Sequence, residues 1–181
     1  GSSAFNHPLP HPPRYHTPMH QSPTDNQPHR VYRACGGVVL DPNDRVLLIE
    51  RHVERDGQTI HEVRLPKGKP DPGEADVDAA LREVGEETGY WQLEVIGDLG
   101  EGSVRYTDRQ GRDTHRDERY YLMRLKSDHW AGQRMKPGSE EALFDPLWAS
   151  DLPDAEQRLT YDGEKTWARR AIAYLAANRS R

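Results

Sequence analysis

The sequence predicts an α/β fold in mixed layers, and three observations carry that prediction. Short β-like runs bounded by turn residues mix with helical patterns in no regular strand–helix–strand repeat, which favours α/β or α+β layers over tandem βαβ units. The segment Asp76 to Thr88 sets Val77, Leu81, Val84 and Thr88 at helical spacing, one stripe of a single amphipathic helix. Near the C-terminus "EKTWARRAIAYLAAN" brings Trp167, Ala171, Ile172 and Leu175 to one side, a second helix with a face to bury.

The elements follow in order. Residues 1–29 hold half the prolines and five of the nine histidines, with almost no apolar content. Such a segment cannot offset its ordering entropy by burial, so a disordered arm is expected, with the folded domain over 30–181. "RVYRACGGVVL" has strand composition, and Gly36-Gly37 mark a bulge or a close backbone approach. "DPND" is a turn, and "RVLLIERH" completes a hairpin. "VERDGQT" reads as a polar loop and "HEVRLP" as a short strand that stops at Pro66. Two prolines and two glycines make "KGKPDPGE" a loop. The helix over 76–88 ends at Gly89, where a C′ glycine belongs. "WQLEVIGDLG", "RDERYYLMRLK" and "ALFDPLWAS" read as strands. "SDLPDAEQRL" and the segment from Glu164 read as helices.

A net charge of −5 argues against non-specific nucleic-acid binding, and no apolar run reaches membrane-spanning length. A cytoplasmic protein is the default expectation. The single cysteine, Cys35, has no partner for an internal disulfide and reads as a small apolar strand residue.

The chemistry lies in "GKPDPGEADVDAALREVGEETGY", Gly68 to Tyr90. Glu83, Glu86 and Glu87 fall within about one and a half helical turns and project from one side, away from the apolar stripe. Like charges at this spacing repel, and they sit toward the helix end where the macrodipole disfavours anions. On the glutamates alone, a solvated acidic face is the simpler reading. The loop just upstream shifts the balance, because Lys67, Gly68 and Lys69 offer positive charge and close backbone approach to phosphate. Clustered oxygen ligands suit Mg²⁺ or Mn²⁺. Arg82 can bridge Glu86 or Glu74 and hold the carboxylates in place.

With its fixed positions spaced as Gly68, Glu74, Arg82-Glu83-Val84, Glu86-Glu87 and Gly89-Tyr90, this stretch resembles the signature of the Nudix (MutT-like) hydrolase family. The one departure is Tyr90 in a slot usually filled by an aliphatic residue. The resemblance implies an α/β/α sandwich with a mixed β-sheet and the box as loop–helix–loop. It implies Mg²⁺-dependent hydrolysis of a nucleoside diphosphate linked to another moiety. Glu83, Glu86, Glu87 and the Gly68 carbonyl would be metal ligands, with Glu74 and Arg82 in support. The general base would be a box glutamate or a residue of the later loop "GSEEALFDPLW", where Glu140 and Glu141 are candidates.

Outside the box the hints concern substrate. Tyr106 lies sixteen residues after Tyr90, a spacing similar to that of the diadenosine polyphosphate hydrolases, whereas the slot where ADP-ribose pyrophosphatases tend to show proline holds Arg105. "LTY" (159–161) is also similar to that group, but Arg64 and Leu65 stand where many relatives carry Trp. Lys67, Lys69, Arg51 and Arg105 are candidate phosphate contacts, and Tyr106, Tyr161 or Tyr32 a candidate base platform. Diphosphoinositol polyphosphate, ADP-ribose or NDP-sugar, and nucleoside triphosphate hydrolysis are the alternatives within the family. A silent Nudix-fold binding module is the alternative outside enzymology. In every enzymatic case the partner is a small nucleotide or polyphosphate, with neither nucleic acid nor membrane.

Overall fold

Gly36 and Gly37 decide where the first strand can run. A Cβ on Gly36 would sit 2.5 Å from the Pro66 carbonyl oxygen and 2.6 Å from the Tyr120 ring. The Gly37 amide donates to Pro66 O at 3.2 Å. The expected close backbone approach is therefore real, and it seats the loop that opens the glutamate-rich box directly against the strand. The computed structural model describes residues 28–134 and 144–179. The proposed arm falls on 1–27 and the two residues before the first strand, so most of it lies outside the described residues, as do Glu140 and Glu141.

The element order is β1 (Arg30–Leu40), β2 (Val46–Arg55), β3 (Gln58–Arg64), β4 (Lys67–Gly68), α1 (Asp76–Thr88), β5 (Leu93–Thr107), β6 (Asp113–Leu125), β7 (Asp145–Ala149), α2 (Leu152–Arg158) and α3 (Asp162–Asn178). The sheet runs β3-β2-β1-β6-β5, with β4 paired to β1 and β7 to β2. It is mixed: β1 and β6 are parallel from Arg30↔Thr114 to Leu40↔Arg124, and the other pairs are antiparallel.

Strand alternation sorts the core into two layers. Cys35, Val39, Tyr121 and Met123 pack against Ala79, Ala80 and Val84 of α1. Val38, Leu40, Tyr120 and Leu122 pack on the other face against Trp167, Ala168 and Ala171 of α3, with Ala155 of α2. This is the α/β/α sandwich.

Four local expectations need correction. "VERDGQT" is not a loop. β2 and β3 continue through it, joined at Asp56 (φ 50°) and Gly57 (φ 74°), the paired positive φ values that a tight hairpin turn requires. β5 runs on to Thr107, past the expected end at Gly100, so Tyr106 stands in a strand. Lys67–Gly68 is a short strand on β1. Ile172 is exposed, because α3 buries Trp167, Ala168 and Ala171 instead.

Candidate active site

The box begins where Gly68 pairs with Cys35. A Cβ on Gly68 would lie 2.1 Å from the Glu83 carboxyl carbon, so only glycine lets that carboxylate rest against the loop. Glu83 is 1% exposed and Glu87 5%. That burial removes the solvated-face reading for both, while Glu86 is half-buried.

Two donors order the carboxylates. The Lys67 amide donates to Glu87 Oε2 at 3.0 Å, tying loop to helix. Arg82 is the hub. Its Nε and Nη2 grip Glu74 bidentately at 2.9 and 2.8 Å, and Nη1 reaches Glu83 at 2.8 Å and Glu86 at 3.0 Å. Nη2 also donates to Lys69 O at 3.0 Å. The hydrogen bonds that Arg82 donates to Glu74 lead in holding its guanidinium firmly protonated, against the effect of burial. Glu74 in turn accepts from the Asp71 amide at 3.0 Å, which closes the loop on itself.

Arg82 thus already answers the charge repulsion that suggested a cation. Among the described residues no three acidic, histidine or cysteine side chains converge closely enough to share an ion. The donor chemistry still fits a hard divalent cation. The box offers only oxygens, two of its carboxylates are buried, and the glycine cradle carries a carbonyl beside them.

A second wall faces the same loop. Tyr32 on β1 and Tyr106 on β5 join hydroxyls at 2.7 Å across β6. Arg116 on β6 donates to the Tyr32 hydroxyl at 3.2 Å, and its guanidinium lies 5.3 Å from the Tyr106 ring centroid. Lys69 Nζ stands 4.8 Å from the Tyr32 centroid and Arg30 4.4 Å. Burial would raise the Tyr32 phenol, but the Arg116 charge and the hydrogen bonds outweigh it and the net shift is downward. The Tyr106 phenol is pushed up by burial and by Tyr32. Burial, then the positive charge of Arg64 and Arg116, brings the Lys67 amine down to about 8. The nearby carboxylates of Glu164 and Glu87 act in the opposite direction.

The structure brings together Glu74, Arg82, Glu83, Glu86, Glu87, Gly68 and Lys67, and links Lys69 to Tyr106 through Tyr32. It does not offer Arg51 as a surface phosphate contact. Arg51 is 5% exposed, pairs with Glu62 at 2.8 Å and covers the Phe144 ring at 4.4 Å. Arg105 is engaged bidentately by Asp113. Tyr161 gives its hydroxyl to Glu62 at 2.9 Å beneath Arg64, which also pairs with Glu164 at 3.1 Å. Sequence reasoning missed Arg116 and saw Arg64 only as a departure. The usable signal was the alternation Arg116, Glu118, Tyr120, Leu122, which puts Arg116 on the same face as buried Tyr120.

The sequence matches the family model described as NUDIX domain over residues 31–161. The chain belongs to the Nudix hydrolase family. An RNA pyrophosphohydrolase from Rhodopseudomonas palustris is 28% identical over 137 residues, 68% of this chain and 78% of that protein. A bis(5'-nucleosyl)-tetraphosphatase (asymmetrical) from Rattus norvegicus is 35% identical over 98 residues, 52% of this chain and 65% of that protein. Across four curated relatives the matched segment spans between 40 and 78% of their length. Among solved structures, a C. elegans Ap4A hydrolase binary complex is similar in fold, with TM-score 0.56 and 22% identity over 81% of this chain and 98% of that one. Among the described residues of this Nudix chain no helix is long and apolar enough to cross a membrane.

Proposed function

We propose that this Nudix chain hydrolyses a phosphoanhydride bond in nucleoside diphosphate-linked substrates, with dinucleoside polyphosphates of the diadenosine type as its substrate class. One observation carries the reading: the carboxylate-bearing helix, through Lys67 and Lys69 of its leading loop, meets a wall of Tyr32, Tyr106 and Arg116. Carboxylates serve a metal and a base, cations serve several phosphates, and the tyrosine pair serves a nucleobase.

Glu83, Glu86, Glu87 and the Gly68 carbonyl are the groups that would hold Mg²⁺ or Mn²⁺. A divalent cation there would neutralise phosphate charge and acidify water. The chain's own groups do the rest. Arg82 holds Glu74, Glu83 and Glu86 aligned. The Lys67 amide donates to Glu87 and fixes the orientation of its carboxylate. Lys67 and Lys69 meet the polyphosphate. One glutamate takes the proton from the attacking water, with Glu87, Glu140 and Glu141 as candidates.

The tyrosine pair favours a substrate with a base over diphosphoinositol phosphates, and the complete box favours catalysis over a silent binding module. The test is a kcat/KM comparison with Mg²⁺ across diadenosine tetraphosphate, ADP-ribose, nucleoside triphosphates, a 5'-triphosphorylated RNA and a diphosphoinositol phosphate. Diadenosine tetraphosphate should rank first, and EDTA should abolish turnover. Preference for ADP-ribose, RNA or inositol substrates would overturn the substrate class, and no turnover of any would overturn the enzyme.

A further inference from the structure

The last turn of α1 carries Glu86 and Glu87, contains no basic residue, and ends in carbonyls with no partner inside the helix. Four of the five residues 130–134 supply the donors. Trp130 Nε1 reaches Thr88 O at 3.0 Å, the Ala131 amide Gly89 O at 2.9 Å, the Arg134 amide Glu86 O at 3.0 Å, and Gln133 Nε2 Glu87 O at 2.5 Å. The strap is itself fixed by Trp91, whose indole donates to Gly132 O at 3.1 Å and whose ring lies 4.3 Å from the Arg134 guanidinium.

Gln133 differs from its neighbours. The same Nε2 also donates to Phe144 O at 2.9 Å. Phe144 is buried, its ring lies under Arg51, and Arg51 binds Glu62, the acceptor for Tyr161. One amide therefore joins the carboxylate-bearing helix to the β2–β3 wall. A carboxamide suits the place: its two N–H groups serve two carbonyls, and it brings no charge beside Glu86 and Glu87.

We infer that Gln133 is a positioning residue that fixes the last turn of α1, and with it the Glu86 and Glu87 carboxylates, against the β2–β3 wall. The inference rests on the reading of those glutamates as the hydrolytic groups. Gln133→Met keeps the length and removes both donors. Displacing the turn by a fraction of an ångström should lower kcat about tenfold and leave KM within about twofold. Mn²⁺ affinity, measured by calorimetry without substrate, should weaken several-fold, and the melting temperature should fall by a few degrees, on the order of 2–8 °C.

Trp91→Phe is the control, because it loosens the strap at Gly132 and leaves both Gln133 bonds in place. It should lower the melting temperature with kcat retained. Should Gln133→Met not fold, Gln133→Asn keeps the amide on a stem too short to reach both carbonyls and is read in the same way. Wild-type kcat and Mn²⁺ affinity in the Gln133 variant, with only a lower melting temperature, would overturn the inference and leave a simple cap. Glu87→Gln in the same assay separates the two readings. Its inactivation beside an unaffected Gln133→Met sinks the positioning role alone, and full activity in both sinks the positioning role and the hydrolytic reading together.

Discussion

The box and the tyrosine wall face one another, but they are built in opposite ways. The box is contiguous: Gly68 to Tyr90 supplies the loop, the helix, the Arg82 hub and three carboxylates, and most of its hydrogen bonds close within twenty residues. The wall is assembled from distant segments. Tyr32 and Tyr106 are 74 residues apart and Arg116 and Tyr32 are 84 apart, yet the parallel register Tyr32↔Arg116 makes them neighbours. The box thus carries most of its own hydrogen bonds within one helix and one loop and borrows only its anchoring from β1 and residues 130–134, whereas the wall depends on the whole sheet. Damage to the box should remove chemistry, and damage to the wall should change preference.

The largest break in that contrast comes from Gly68. Its missing Cβ is the space the Glu83 carboxylate fills. Gly68→Ala forces loop and carboxylate apart by about an ångström, a misplacement worth about a hundredfold in rate. The expected outcome is kcat down about a hundredfold on every substrate, measured at saturating Mg²⁺. A variant that lost rate on one substrate only would put Gly68 with the wall.

Arg82 comes next, and its effect should show mainly in stability. Arg82→Ala removes the guanidinium from buried Glu83 as well as from Glu74 and Glu86, at a cost of about 3 kcal/mol in denaturant unfolding. Added Mg²⁺ should recover part of that stability, because a cation can take over the neutralising role. Arg82→Lys keeps the charge without the fork and should fall between the two. Identical losses with and without Mg²⁺ would place the metal elsewhere.

Tyr106 probes the wall. If it carries a base, Tyr106→Ala should lower kcat/KM for diadenosine tetraphosphate by about ten- to a hundredfold, the worth of roughly 1–3 kcal/mol of stacking. A substrate without a base should be nearly unaffected. Tyr106→Phe keeps the ring and loses only the bond to Tyr32, so it should retain most of the activity. Equal losses on both substrates would make the tyrosine structural and leave the box as the sole determinant.

The same contrast explains what could be read in advance. The loop–helix junction, the Arg82 bridge and the αL ending at Gly89 were legible because helical spacing fixes which side chains meet. Tyr106 was found by its distance from the box but fell beyond the expected strand "WQLEVIGDLG", since nothing in "EGSVRYT" announces that β5 continues past the bulged stretch near Asp98 to Glu101. Arg51 looked like any surface cation, and only the cross-strand register Arg51↔Glu62 commits it to a buried pair. Arg116 was missed although strand alternation with Glu118 and Tyr120 marks its face, because its contact with Tyr32 depends on the β1–β6 register. The Trp130–Arg134 strap was invisible, since its partners are mostly backbone carbonyls of another element and no local pattern marks such a contact.

The smallest effect should come from Cys35, which lies behind the box without belonging to its chemistry. It is opposite Gly68 in register, fully buried, with Sγ 3.4 Å from Asp76 Oδ1. Burial, reinforced by the Asp76 carboxylate, pushes the thiol up to about 12. Because the folded value lies above the ordinary one, thiolate is scarce at pH 8. Alkylation by iodoacetamide at pH 8 should then run at least about a hundredfold slower in the folded protein than in urea. Cys35→Ala should leave kcat within about twofold and cost about 1 kcal/mol of stability. Rapid labelling that also abolished turnover would move Cys35 from the packing behind the box into the site itself, and the box would no longer be self-contained.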